Sequence, residues 1–442
     1  MKYVDGSKRV FLSTGTRFPR EVIWAIGAIK YSAARANVDL GLLDREIGRI
    51  IQSKAKELME GSHDDMITVD VFQTGSGTGL NMNANEALAE LSSAEMGKTV
   101  HPNDHVNMSQ SSNDVGPTAI RVAAAIAVSR SLIPAIDGMS KSLRALATRT
   151  SGVYKAGRTH LRDALPVTMG QEFGAYGDEF ARDAKLVKET MEYMLELPIG
   201  GTAVGTGLNA DPKFGGMVAK EIAGLSGLRF TSAKNKFRPT RLLTDMSSLS
   251  GTMRSVSIDL YRLCQDLRLM FSGPLTALGE IDIPTQEEVA GSSIMPGKTN
   301  PVTVESVLLA TAEVVGLDGA NAFAAGLGEF ELTMGVPVMG YNTVLQTKLL
   351  SEALNKLSSL VIDHVVPMKE KARGYAETSQ ALITLVSPRI GYDRATEMGK
   401  QISKGVPIRT ALKKLGYADK EIDSLLNMKN LVRPGIPSKK LK

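Results

Sequence analysis

The sequence predicts an all-α protein built on a bundle of unusually long helices, and three observations point there. Aromatic residues are only 5% of the 442 residues while Gly and Met are plentiful, a balance suited to helix-on-helix packing, since sheets draw on aromatic and β-branched residues. Apolar residues recur at three- and four-residue intervals over about 117–148, 168–196, 245–271, 301–325 and 340–366, the spacing of one helical face. Short loops rich in Gly, Ser, Thr and Asn separate these stretches. At 1.5 Å per residue a 25-residue stretch is a rod of roughly 37 Å, and such rods cover their apolar stripes only side by side.

In chain order, the first long helix starts near Pro19, a good first-turn residue because its missing N–H has no partner there. It carries Val22, Ile23, Ile26 and Ile29 toward Val38, and a second segment runs from Leu42 to Met59. Pro134 lies inside the first rod and should kink or interrupt it. The polar loops fall at 73–85, 101–114, 157–168, 199–213 and 285–301. Beyond about 367 the helices shorten. We therefore expect an N-terminal domain over 1–109, a central long-helix domain over 110–366 and a small helical C-terminal domain over 367–442.

The net charge of +5 and pI near 9.0 suit an anionic ligand and are too mild to argue for nucleic acid. The basic tail Ser438–Lys442 reads as a solvated end. Cys264 is the only cysteine, so an intrachain disulfide and a thiolate-held iron–sulfur cluster are both excluded. No apolar signal region follows the N-terminal residues, and no run of roughly 18 uninterrupted apolar residues occurs. The expectation is a soluble, cytoplasmic protein without a membrane segment.

The loop Gly291-Ser-Ser-Ile-Met-Pro-Gly-Lys-Thr-Asn-Pro301 is the most informative. It offers Ser292 and Ser293, the cation Lys298 and the amide Asn300 just ahead of a long helix, whose N-terminal N–H groups favour an anion. The segment Gln73–Asn85 is also glycine-rich, but no lysine follows as a phosphate-binding loop requires; Ser76 and Thr78 could donate to a carboxylate. His101-Pro-Asn-Asp104 and Ser111-Ser-Asn-Asp114 bracket a polar stretch. His101 and His105 have metal-ligand spacing, although Pro102 disfavours a continuous helix across them. His160 follows Gly157-Arg-Thr on another polar loop, and Glu305 is an available carboxylate partner.

Together these loops resemble the fumarase/aspartase superfamily over nearly the whole chain. GSSIMPGKTNP is similar to its signature loop; TGSGTGLNMNANE, HPNDHVNMSQSSND, GRTHLRDALPVTMGQE and GGTAVGTGLN follow in the family's order, with NKF at 235–237, GEFEL at 328–332 and GYDRA at 391–395. Within it the chain most resembles the iron-independent class II fumarate hydratases, which carry GRTH where aspartate ammonia-lyases have Gln for that His, and MPGK where these usually read MPAK. Arg162 stands where the family usually has Gln, Val115-Gly116 replaces a common Thr-Phe, and Thr299 replaces a usual Val.

The resemblance implies reversible hydration of fumarate to (S)-malate through an aci-carboxylate, with no cofactor and no metal. It implies Ser292 as the base at carbon, stabilised by Lys298, with Asn300 beside it. It further implies His160 paired with Glu305 at the water, and Ser76, Gly77, Thr78, Ser111, Ser112, Asn113, Thr159 and Ser293 as substrate binders. A second dicarboxylate site would lie at His101, Pro102, Asn103 and Asp104. The implied assembly is a homotetramer with a 20-helix core, its ligands small dicarboxylates, with neither nucleic acid nor membrane as partner. The competing readings are an ammonia-lyase and a non-catalytic protein on the same fold.

Overall fold

The protein is described by a computed structural model covering residues 1–284, 289 and 291–435. The basic tail Ser438–Lys442 and part of the 285–301 loop lie outside the described residues. The expected rods are present: Met169–Glu192, Thr244–Phe271, Val302–Ala325 and Val336–Leu360, preceded by Arg20–Asp39 and Arg45–Glu60. Pro19 sits one step earlier than expected, as the N-cap. Asp44 caps the next helix by accepting from the N–H groups of Glu46 and Ile47 at 2.9 and 3.1 Å.

The rod expected over 117–148 is three pieces. A helix Ser112–Ala127 passes through a π turn, Val128–Leu132, into a helix Ile133–Arg149. Pro134 has no N–H to return to the preceding turn, so the wider turn just ahead absorbs the lost hydrogen bond.

The expected loop over 157–168 is instead an antiparallel hairpin of β1 (Tyr154–Thr159) and β2 (Arg162–Thr168). Two further two-stranded sheets, Glu196–Leu197 with Thr231–Ser232 and Ile281–Asp282 with Val366–Pro367, occur among the described residues. Helices still dominate, and the fold is all-α with minor strands.

The chain divides into two compact units. The first comprises Met1–Asp137, Arg182–Leu260 and Leu309–Leu354. Its core includes Ile26, Ile29, Ile51, Leu58, Leu88 and Ile120, all at most 1% exposed. Arg121 is fully buried there; its guanidinium pairs with both Asp245 oxygens at 2.8 and 3.0 Å and donates to the Pro117, Pro239 and Leu242 carbonyls. A buried guanidinium is tolerated because it is so fully bonded.

The second unit comprises Gly138–Ala181, Tyr261–Leu308 and Asn355–Lys442. It holds the hairpin and the loop 291–301. Its C-terminal helices close around Leu382, Val386, Ala411, Leu412, Ile422 and Leu425.

By length and mean hydropathy two helical runs reach the threshold of a membrane span, Ser112–Arg149 and Val302–Ala325. Ser, Thr, Gly and single charges interrupt both, so neither contains an uninterrupted apolar run of roughly 18 residues. The apolar window of the first is 72% buried, as in a core helix, whereas that of the second is 33% buried.

Candidate active site

The second unit carries the loop Gly291–Pro301. Its neck is closed by Asn300, whose amide donates to the Gly291 carbonyl. A Cβ on Gly291 would lie 2.2 Å from the Lys298 carbonyl oxygen, so only glycine permits this closure. Ser292 Oγ accepts from the N–H groups of Met295 at 2.9 Å and Ile294 at 3.3 Å. Two N–H donors on one hydroxyl oxygen favour its ionised form. Lys298 Nζ donates to Asn300 Oδ1 at 2.8 Å. Asn300 is therefore already engaged on both sides: its oxygen orients the cation and one of its N–H bonds holds the neck.

The sequence does not identify His160 as the tip of a hairpin. Thr159 pairs with Arg162, leaving His160 and Leu161 as a two-residue turn with φ of +54° and +58°. Two adjacent positive φ values are the requirement of the tightest hairpin turn, usually met by Asn-Gly. Here a histidine and a leucine meet it, and local strain of this kind is characteristic of functional positions. Thr159, His160 and Leu161 are all exposed. His160 and Glu305, the expected pair, make no ion pair with each other in this chain among the described residues. Leu161, beside His160, does share a cavity of about 1420 Å³ with Lys298 and Glu305. His160 itself lines an adjoining cavity of about 540 Å³ with Arg158, Glu172 and Glu280.

In the first unit, Ser76 and Thr78 hydroxyls hydrogen-bond at 2.9 Å, and Gly77 adopts φ +81° as the N-cap of the helix Thr78–Met96. The expected loop 73–85 thus ends at Gly77. A Cβ on Gly116 would lie 2.4 Å from the Ser76 carbonyl oxygen, so in this chain the loop lies against the helix Ser112–Ala127 at a distance that glycine permits. Ser111 caps that helix in a reciprocal box with Asp114. Ser112 Oγ accepts from Asn81 at 3.1 Å, and Asn113 donates to the Ala203 carbonyl at 2.8 Å.

Two buried groups behind these hydroxyls escaped the sequence reading as functional. Lys30, 0% exposed, donates to Asn81, Asn107 and Gln110 at 2.7, 3.0 and 2.9 Å. Burial lowers its pKa to about 7. Asp114 accepts from the N–H groups of Ser111, Gly200 and Thr202 at 2.9–3.0 Å. Burial nonetheless raises its pKa to about 6. A lysine at a core position of the Ile26–Ile29–Ala33 stripe was the available signal for Lys30.

His101 caps a single π turn, Pro102–Val106. Its Nδ1 accepts from the N–H groups of Asn103 and Asp104 at 3.3 and 3.1 Å. No helix runs continuously across His101 and His105: the turn begins at Pro102, whose missing N–H has no partner to lose at the first position, and His101 stays extended as its cap. His105 Nδ1 is spent on the His101 N–H at 2.9 Å.

The fold is that of a long-helix protein, and comparison with known proteins places it among the helical lyases. A family model described as Lyase matches residues 7–316. Class II fumarate hydratase of Saccharolobus solfataricus is 58% identical, over 99% of this chain and 100% of that protein. That of Thermus thermophilus is 40% identical over 95% and 91%. Among solved structures, class II fumarase from Schistosoma mansoni superposes with a TM-score of 0.94 at 29% identity, covering 98% of this chain and 95% of that one. A fumarate lyase:delta crystallin from Brucella melitensis gives 0.91 at 32% identity, with the same coverage. The chain belongs to the class II fumarate hydratase family.

Proposed function

We propose that the chain is a fumarate hydratase that interconverts fumarate and malate with Ser292 and His160 as its acid–base pair. The hydratase activity follows from the family, and the division of labour rests on the loop Gly291–Pro301. In the dehydration direction a proton leaves carbon 3 of malate for Ser292 Oγ. The electron pair enters the adjacent carboxyl group, giving an aci-carboxylate with two negative charges. Donors fixed in place before that charge forms stabilise it most, and Lys298 is such a donor. The hydroxyl then leaves carbon 2 as water, with His160 supplying the proton and the double bond of fumarate forming. Ser76, Thr78, Ser111, Ser112, Asn113, Thr159 and Ser293 supply hydroxyls and an amide for the substrate carboxylates. The double N–H donation to Ser292 Oγ is the observation that carries this reading.

The assembly we propose is a homotetramer whose sites draw on several chains. The helix Val302–Ala325 supports it. Leu309, Ala312, Gly316, Gly319 and Phe323 recur at three- and four-residue steps on its exposed side. Leu309 and Phe323 are 74% and 76% exposed, and a Cβ on Gly316 or Gly319 would meet nothing within 4 Å. Such a seam suits a neighbouring helix at close range. The exposure of His160, Lys298 and Glu305 in the single chain supports the same reading.

The test follows fumarate's ultraviolet absorbance with purified protein, with and without ammonia, and identifies the product. Malate in both cases is expected. Aspartate as the only product would overturn the hydratase in favour of an ammonia-lyase. Deuterium uptake at carbon 3 of malate should vanish in Ser292→Ala.

A further inference from the structure

The proposed chemistry occupies the tips of two loops in the second unit and leaves a buried cluster of charge at their roots unused. Glu280 is 0% exposed. Its two oxygens lie 2.9 and 3.0 Å from Nη1 of Arg158, and Oε2 lies 3.3 Å from Nζ of Lys155. Both cations stand on β1, with Arg158 two residues before His160. Lys155 is balanced on its other side by Glu172 at 2.8 Å, and the Arg158 guanidinium lies over the Tyr375 ring at 5.6 Å. Backbone bonds pin Glu280 as well: its N–H donates to the Met270 carbonyl at 2.7 Å and its carbonyl accepts from Met368 at 2.9 Å. From Glu280 the chain continues through the strand Ile281–Asp282 toward Ser292, 12 residues on.

We infer that Glu280 is a positioning residue for the hydration reaction, holding through Arg158 the hairpin whose tip presents His160, at the foot of the segment that leads to Ser292. The inference deepens the hydratase reading and rests on it. A strained two-residue turn on a short hairpin cannot by itself fix the direction of an imidazole. The Arg158 guanidinium can, because its Nη1 is shared between both oxygens of a buried, backbone-pinned carboxylate while its plane rests over the Tyr375 ring. The four charges Lys155, Arg158, Glu172 and Glu280 sum to zero, so the cluster carries no net charge that would call for a further ion.

The test compares Arg158→Lys, Glu280→Gln and their double variant with wild type in the assembled protein, reading kcat, KM and Tm. Arg158→Lys keeps the charge and loses the planar guanidinium that spans from the Glu280 oxygens to the Tyr375 ring. We expect kcat to fall about 10- to 100-fold, the scale of a misplaced catalytic group, with KM for malate within about two-fold. Glu280→Gln should lose kcat to a similar extent and lower Tm more. The double variant should be no slower than the worse single, since both act through one geometry. Glu172→Gln, which leaves the Arg158–Glu280 contact in place, should keep kcat within about two-fold.

If kcat survives in both single variants while Tm alone falls, if the two losses multiply, or if Glu172→Gln is equally slow, the assignment is overturned. Should Glu280→Gln fail to fold, Arg158→Lys still decides. His160→Asn separates the two readings. If it is fully active, the role of His160 itself is wrong. If it is crippled while Arg158→Lys is normal, only the positioning role fails.

Discussion

Lys298 Nζ lies 2.8 Å from Oδ1 of Asn300, and among the described residues no carboxylate pairs with it. Its cation is steered by a neutral dipole, which leaves the positive charge uncompensated for an anionic ligand. Replacing Lys298 by Ala should reduce kcat/KM about 10²- to 10³-fold, the usual consequence of removing one preorganised donor. Tm should hardly change, because the side chain is exposed. Steady-state kinetics on malate and a melting curve check both halves.

Gly291→Ala should inactivate the enzyme without unfolding it. The added carbon would sit 2.2 Å from the Lys298 carbonyl oxygen, so the neck of the loop must open and Ser292, Lys298 and Asn300 separate. We expect a kcat loss of at least about 10²-fold with a cooperative melting transition retained.

Phe323→Glu places a charge on the bare seam of the helix Val302–Ala325. Burying an unpaired carboxylate against another helix is costly, so the variant should sediment as a smaller species. If the sites are composite, activity should fall in step with the tetramer fraction. Fully active monomers would refute the proposed assembly.

Lys30 gives a pH signature. Burial lowers its folded pKa to about 7, below the unfolded value of about 10.4. Between those values the unfolded chain binds more protons, so this group's contribution to unfolding free energy rises with pH. Below pH 7 the penalty of burying the ammonium is complete. The stability gap between wild type and Lys30→Gln should therefore shift in favour of wild type from pH 7 to 9, read as urea midpoints at each pH. A constant gap would show that Lys30 titrates normally.

Cys264 is fully buried and its thiol is pushed up to about 12, which leaves little thiolate at neutral pH. Intact protein should resist iodoacetamide at pH 7.5, while urea-unfolded protein reacts fully, as mass spectrometry would record.

The long helices were legible because an apolar period near 3.6 residues, sustained over about 20 residues, is the mark of one helix face and of no strand or turn. The hairpin was not. Gly157 and Pro166 interrupt β1 and β2, the register slips between Ala156 and Arg158, and the turn uses His-Leu in place of a turn dipeptide. Lys30 and Asp114 were hidden for another reason. Their partners lie far along the chain, Asn81 for the one and Gly200 and Thr202 for the other, and no local pattern announces such meetings. The candidate loops stand out in the sequence through their motifs. Ser292 with its two N–H donors is a relationship that only coordinates supply.

The turn at His160 and Leu161 also bears on how this gene can drift. Strand residues alternate in direction, so one codon inserted between Thr159 and Arg162 would turn the imidazole away or break the pairing beyond it. Insertions are far better tolerated on an exposed turn such as 403–405. Length polymorphism should accumulate there, while the hairpin tip stays at two residues even where its composition changes.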